Sequence, residues 1–151
     1  MKDAEFMRLA LEWAVMDPDE VPVGAVIMKD DTLISAAHNQ RERLGGALHH
    51  AEVLAITRAQ AKLKTRRLEG CTMYVTLEPC PMCAGALILA RLSRLVFAAF
   101  DSQYGCCGSR YALPMDPAFH HRVACEGGLL ASESEALLNA FFSRHREQGP
   151  I

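Results

Sequence analysis

No apolar run in this sequence approaches the roughly twenty residues a helix needs to cross a bilayer; the stretch Ala84 to Ala90 is soon ended by Arg91. The opening Met1-Lys2-Asp3-Ala4-Glu5 is charged and leads into an amphipathic pattern, unlike a signal peptide. A cytoplasmic protein with no membrane association is therefore expected. A basic excess is also missing, since 16 Lys and Arg stand against 18 Asp and Glu, a net charge of -2. Binding to nucleic acid through overall charge is thus excluded, and any RNA contact has to be local. There is no internal repeat, no low-complexity tract and no Gly-x-Gly-x-x-Gly dinucleotide fingerprint; Gly105 and Gly108 read as turn formers. The 151 residues, 50% of them hydrophobic, suffice for a proper core and little else, so residues 1–151 read as one domain.

Cysteine is present, six times, and its placement carries the chemistry. His50-Ala51-Glu52 is followed further along by Pro79-Cys80-Pro81-Met82-Cys83. His50, Cys80 and Cys83 supply three zinc ligands, one fewer than a closed structural site, leaving a coordination position for water. Water held there falls in pKa from about 15.7 toward roughly 7. Glu52, two residues after His50, is the expected proton shuttle, because one carboxylate can act first as base and then as acid. His49 also neighbours the triplet, but the two-residue offset to Glu52 favours His50 as ligand. A lone Cys-x-x-Cys would equally suit a redox pair, and a lone His-x-Glu a polar helix start; their combination in this order singles out one catalytic Zn2+ per subunit. Cys71, Cys106, Cys107 and Cys125 are expected to be reduced, with adjacent Cys106 and Cys107 filling a tight loop.

Apolar periodicity after each ligand group predicts that each opens a helix, with Pro81 at the first position of the second. Phe6, Leu9, Ala10, Trp13 and Ala14 predict a first helix that stops before Asp17-Pro18. Val23 to Met28 and Leu33 to Ala37 read as a hairpin about Lys29-Asp30-Asp31-Thr32. Thr72 to Leu77, Leu95 to Phe100 and Arg122 to Glu126 read as further strands, and Asp101 to Pro117 as a loop with one helical turn. Glu133 to Arg146 reads as a final helix with Ala136, Leu137, Ala140 and Phe141 inward. Strand, helix, strand is a crossover, so part of the sheet is expected to be parallel. The expected architecture is a three-layer α/β/α sandwich with a mixed sheet of about five strands. Candidate cations cluster at Lys62, Lys64, Arg66 and Arg67, at Arg91 and Arg94, and at Arg144, His145 and Arg146.

The His-x-Glu…Pro-Cys-x-x-Cys order is the signature of zinc deaminases that act on nucleobases. Beyond it, Glu20 to Val26, Asn39, Tyr74 to Ala86, Asp101, Gly108-Ser109, His121-Arg122 and Phe141 to Arg144 closely resemble the bacterial tRNA-specific adenosine deaminases, of cytidine-deaminase-like fold. The resemblance runs nearly end to end. It implies hydrolytic deamination of adenosine to inosine at the wobble position of a tRNA anticodon, by a homodimer whose partner subunit helps line each site. It also implies that Asn39 helps hold the target nucleotide, that the Ala51 backbone hydrogen-bonds the base, and that Asp101, His121, Phe142 and Arg144 lie near surrounding anticodon nucleotides. A single-stranded loop can splay its bases into pockets, so such recognition does not require a strongly basic domain. The chain departs from the family's habit at Gly46 to His49, at Gln103 and in its ending, Glu147 to Ile151.

Two other functions fit the same residues. One is a same-fold deaminase of a free nucleobase or nucleoside, such as guanine, cytosine or adenosine. The other is a non-catalytic RNA-binding scaffold with structural zinc, against which Glu52 argues, since a structural site has no need of that carboxylate.

Overall fold

The computed structural model describes residues 2–147 and arranges five strands in the order β2-β1-β3-β4-β5. Met7, Ala10 and Ala14 recur at helical spacing and bury one face of α1 (Lys2–Ala14). Strands β1 (Gly24–Lys29) and β2 (Thr32–His38) pair antiparallel. Their turn is only Asp30-Asp31, with φ of 49° and 63°, the left-handed pair whose twist matches a two-residue hairpin. A short α2 (Arg41–Leu44) and a loop then lead to α3 (Ala51–Leu63). Next come β3 (Cys71–Leu77), α4 (Pro81–Leu89) and β4 (Arg94–Ala99), with β3 and β4 parallel as a crossover requires. A 3-10 turn at Leu113–Met115 precedes β5 (Ala124–Gly127), which pairs parallel to β4, and α5 (Ala131–Glu147) ends the described chain. The tail Gln148 to Ile151 lies outside the described residues.

Alternation along the strands divides the core in two. Ala25, Ile27, Met73, Val75, Leu95 and Phe97 pack on α3 and α4. Val26, Met28, Tyr74, Val96 and Ala98 pack on α1. Helix α5 joins α1 on that side, where Arg8 pairs with Glu133 and the Ser134 hydroxyl donates to the Thr76 carbonyl. The result is the expected three-layer α/β/α sandwich with a mixed five-stranded sheet. Gly24 sets how closely α1 crosses β1, because a Cβ there would sit 2.0 Å from the Ala10 carbonyl oxygen. Among the described residues no helix is long and apolar enough to cross a membrane.

The C-terminal part departs from expectation at a strand start and on a helix face. Strand β5 starts at Ala124, not Arg122, because the Val123 amide donates to the Pro114 carbonyl and is drawn to the 3-10 turn instead of the sheet. On α5, Ala136 and Ala140 are exposed while Ser134 and Phe141 are buried. The inward stripe is rotated because Ser134 has a buried carbonyl to bond, which outweighs its polarity.

Candidate active site

The parallel strand β3 ends at Leu77, and three residues later Cys80 caps α4, with Pro81 at the first helical position. His50 caps α3 with extended backbone (φ -76°, ψ 151°), so both helices aim their N-terminal ends at one point. There the Nδ1 of His50 lies 3.7 Å from Cys80 Sγ and 3.6 Å from Cys83 Sγ, and the three donor atoms fall within 4.8 Å of one another. Tetrahedral zinc, with bonds of about 2.3 Å to sulfur and about 2.05 Å to nitrogen, would separate such donors by about 3.6 Å. The residues therefore fit a zinc ion. The donor set is one imidazole and two thiols, close enough that a neighbour in the triad shifts the titration of each. A hydrogen bond with Cys83, followed by one with His50, lowers the Cys80 thiol to about 4. The same bond with Cys80, then burial, raises Cys83, and the Cys80 thiolate raises His50.

Glu52 stands in the first turn of α3 and is 4% exposed. Burial raises its carboxyl to about 7, which places it between acid and base near neutral pH. Asn39, at the end of β2, is also buried, and its amide donates to the Val23 carbonyl. Its Oδ1 accepts the Ala51 N–H at 2.9 Å. The Ala51 amide is thus engaged by Asn39, which lines the same cavity as His50 and Glu52.

That cavity has a volume of about 480 Å³ and is walled by Val21, Val23, Leu77, Tyr104 and Phe142. Two more cavities adjoin it, of about 430 Å³ beside Asn39 and Arg41 and about 530 Å³ beside Phe100 and Tyr104. Val21 and Phe142 line all three. Of the residues expected near a substrate, Asn39, Asp101 and Phe142 are brought together here. Arg144 is not among the lining residues; its guanidinium lies 5.9 Å from the Phe141 ring, on the outer side of α5. His121 is not brought there either. Its Nε2 donates to the Leu92 carbonyl at 2.7 Å, before β4 begins, whereas the zinc ligands and Asp101 sit where β3 and β4 end.

Sequence reasoning missed Glu78 as a builder of the site. Its buried carboxylate accepts the amides of Asp101, Cys107 and Ser109 at 3.0, 3.1 and 2.8 Å and the Ser109 hydroxyl. Gly105 lets the loop close over it, since a Cβ there would sit 2.3 Å from the carboxyl carbon. Asp101 then accepts the Gln103 and Tyr104 amides, which fixes the turn that carries Tyr104. An acid between an apolar strand and the Pro-Cys step was the available signal. The cation clusters read from sequence stand elsewhere: Arg94 pairs with Asp3 and Glu126, and Lys62 to Arg67 occupy the end of α3 opposite His50. The Arg146 side chain lies outside the described residues. All six cysteines are free, including buried Cys106 and Cys107.

Comparison with known proteins agrees with this geometry. Residues 1–99 match the family model described as the cytidine and deoxycytidylate deaminase zinc-binding region. The chain is 42% identical to the tRNA-specific adenosine deaminase of Bacillus subtilis over 149 residues, covering 97% of this chain and 92% of that one. It is 44% identical to the Aquifex aeolicus tRNA-specific adenosine deaminase over 143 residues, covering 93% and 94%. A chain solved in a study of A-to-I editing by tRNA:A34 deaminases superposes with a TM-score of 0.85 at 40% identity, covering 89% of this chain and 99% of that one. The guanine deaminase of Nitrosomonas europaea superposes with a TM-score of 0.81 at 27% identity, covering 93% and 84%. Set beside the zinc-fitting triad and its buried glutamate, these likenesses place the chain among the bacterial tRNA-specific adenosine deaminases of the cytidine-deaminase-like zinc family.

Proposed function

We propose that this chain hydrolyses adenosine to inosine at the wobble position of a tRNA anticodon, releasing ammonia. The observation that carries it is the tetrahedral spacing of His50, Cys80 and Cys83 with buried Glu52 alongside. Bound zinc supplies Lewis acidity that brings a coordinated water near neutral pKa. Glu52 takes one proton from water and passes it to a ring nitrogen as the oxygen adds at C6, then takes the remaining proton from the new C6 hydroxyl and delivers it to the departing amine as the C–N bond breaks. Burial favours each transfer because a carboxyl poised near neutrality gives and takes protons with equal ease.

The other residues hold the nucleotide. Asn39 holds the nucleotide from the cavity wall, and the Ala51 backbone, fixed by its bond to Asn39, meets the base. Phe142, with Val21, Leu77 and Tyr104, excludes water. Asp101 shapes one wall, and Arg144 lies beyond the Phe141 ring, outside the target cavity. Three adjoining cavities suit a target nucleotide with neighbours better than one small molecule. His121, at the far end of β4, would reach a site only across a homodimer, and exposed Leu44 and Leu48 beside the histidine loop support such pairing. Action on tRNA supports the reading of a one-domain enzyme that works in the cytoplasm.

The test is inosine formation in an anticodon stem-loop bearing a wobble adenosine, with free adenosine, cytidine, adenine, cytosine and guanine assayed alongside for ammonia. Inosine only in the stem-loop is expected. Ammonia only from guanine or another small molecule would move the chain to the nucleobase branch, which the likeness to guanine deaminase makes the second reading.

A further inference from the structure

Among the described residues, Arg41 is the one arginine or lysine that lines any of the three cavities, and it lines two of them, the one at the zinc ligands and the one beside Asn39. Its backbone is clamped from several sides. Glu20 accepts the Glu42 and Arg43 amides at 3.1 and 2.8 Å, Arg43 pairs with Asp17 at 2.9 Å, and the Gly46 amide donates to the Arg41 carbonyl. The side chain differs from its neighbours. Arg8, Arg43 and Arg94 are committed to carboxylates and Arg58 to the Ala36 carbonyl, but among the described residues the Arg41 guanidinium has no hydrogen-bond or ion-pair partner. Of the carboxylates on the walls of those two cavities, Glu20 and Asp101 accept backbone amides and Glu52 and Glu78 are buried, while Asp19 and Glu42 flank the turn without pairing to the Arg41 guanidinium. A fixed turn thus presents an uncommitted planar cation at the boundary between two cavities, in a chain whose net charge is -2.

From this placement we infer that Arg41 grips the phosphodiester adjoining the target nucleotide, where the RNA backbone passes from the zinc cavity into the one beside Asn39. This rests on the RNA reading above. A guanidinium matches phosphate oxygens two at a time, so it would set orientation as well as add affinity. Arg41 is then the residue that distinguishes a nucleotide within a strand from a free base, which carries no phosphate.

The experiment uses zinc-loaded enzyme, Arg41→Gln and Arg41→Lys, with stem-loops carrying a neutral methylphosphonate at either phosphate flanking the wobble adenosine, and reads both binding by anisotropy and inosine. The Gln variant is expected to lose about ten- to a hundredfold in affinity, with the loss falling on KM more than on kcat. Its slope of log affinity against log salt should flatten by about 0.7, and Arg41→Lys should restore the slope. One of the two methylphosphonates should weaken the unaltered enzyme by a similar factor and leave Arg41→Gln indifferent. Inosine formation with additive effects of variant and methylphosphonate, or an unchanged salt slope, would overturn the role of Arg41 alone. Neither binding nor inosine with the unaltered enzyme would overturn the RNA reading with it.

Discussion

Two buried glutamates line the zinc cavity and are used in opposite ways. Glu78 is saturated with backbone and hydroxyl donors, whereas burial beside the ligand triad raises the Glu52 carboxyl to about 7. Glu52→Gln should therefore retain zinc in metal analysis and lose about 10²- to 10⁴-fold in turnover, since only proton transfer is removed. Glu78→Gln replaces an acceptor of four bonds with a group that also donates, and should cost about 1–3 kcal/mol of stability, read by denaturant unfolding. Its KM should rise as well, because the Asp101 turn that carries Tyr104 hangs on that carboxylate. Cys83→Ala should instead purify without zinc; unchanged metal content would refute the ligand set.

At the level of elements, the tie between α1 and the sheet's far end is electrostatic. Arg94 on β4 grips Asp3 at 2.7 Å, and the Tyr74 hydroxyl donates to the same carboxylate. The Arg94 bond foremost, then the Tyr74 bond, lowers Asp3 to about 2. A depressed carboxylate stabilises the fold above its unfolded pKa and ceases to do so as pH falls through the folded one. The Asp3 contribution should be complete above about pH 4 and gone near pH 2, and Asp3→Asn should lack that part of the acid transition. Because the pair is partly exposed, its size is under about 1 kcal/mol at neutral pH. Elements with strong apolar periodicity were legible in the sequence: both ligand helices, the hairpin and the crossover. The inward face of α5 was not, because Ser134 turns in to reach a carbonyl that only the folded sheet presents. Nor was the start of β5, which depends on the Val123 amide bonding Pro114 in the preceding 3-10 turn, a contact no local pattern shows. The zinc ligands were readable because their chemistry is local in sequence. Arg41 and Tyr104 were not, because loops bring them to the cavity by long-range bonds to Glu20 and Glu78.

For the whole molecule, a zinc ion held by His50, Cys80 and Cys83 would tie the starts of α3 and α4 together. Stripping it with a chelator should abolish turnover and lower Tm, and added zinc should restore both, since a ligand bound only by the folded state stabilises it. Phe142 gives the molecule a second kind of control. It lies on the last helix, far along the chain from every metal ligand, yet it walls all three cavities. A protease that clips α5 before Phe142 would therefore silence RNA selection while leaving the metal in place, so the integrity of the chain's final turns serves as a gauge of which purified molecules can still tell one substrate from another.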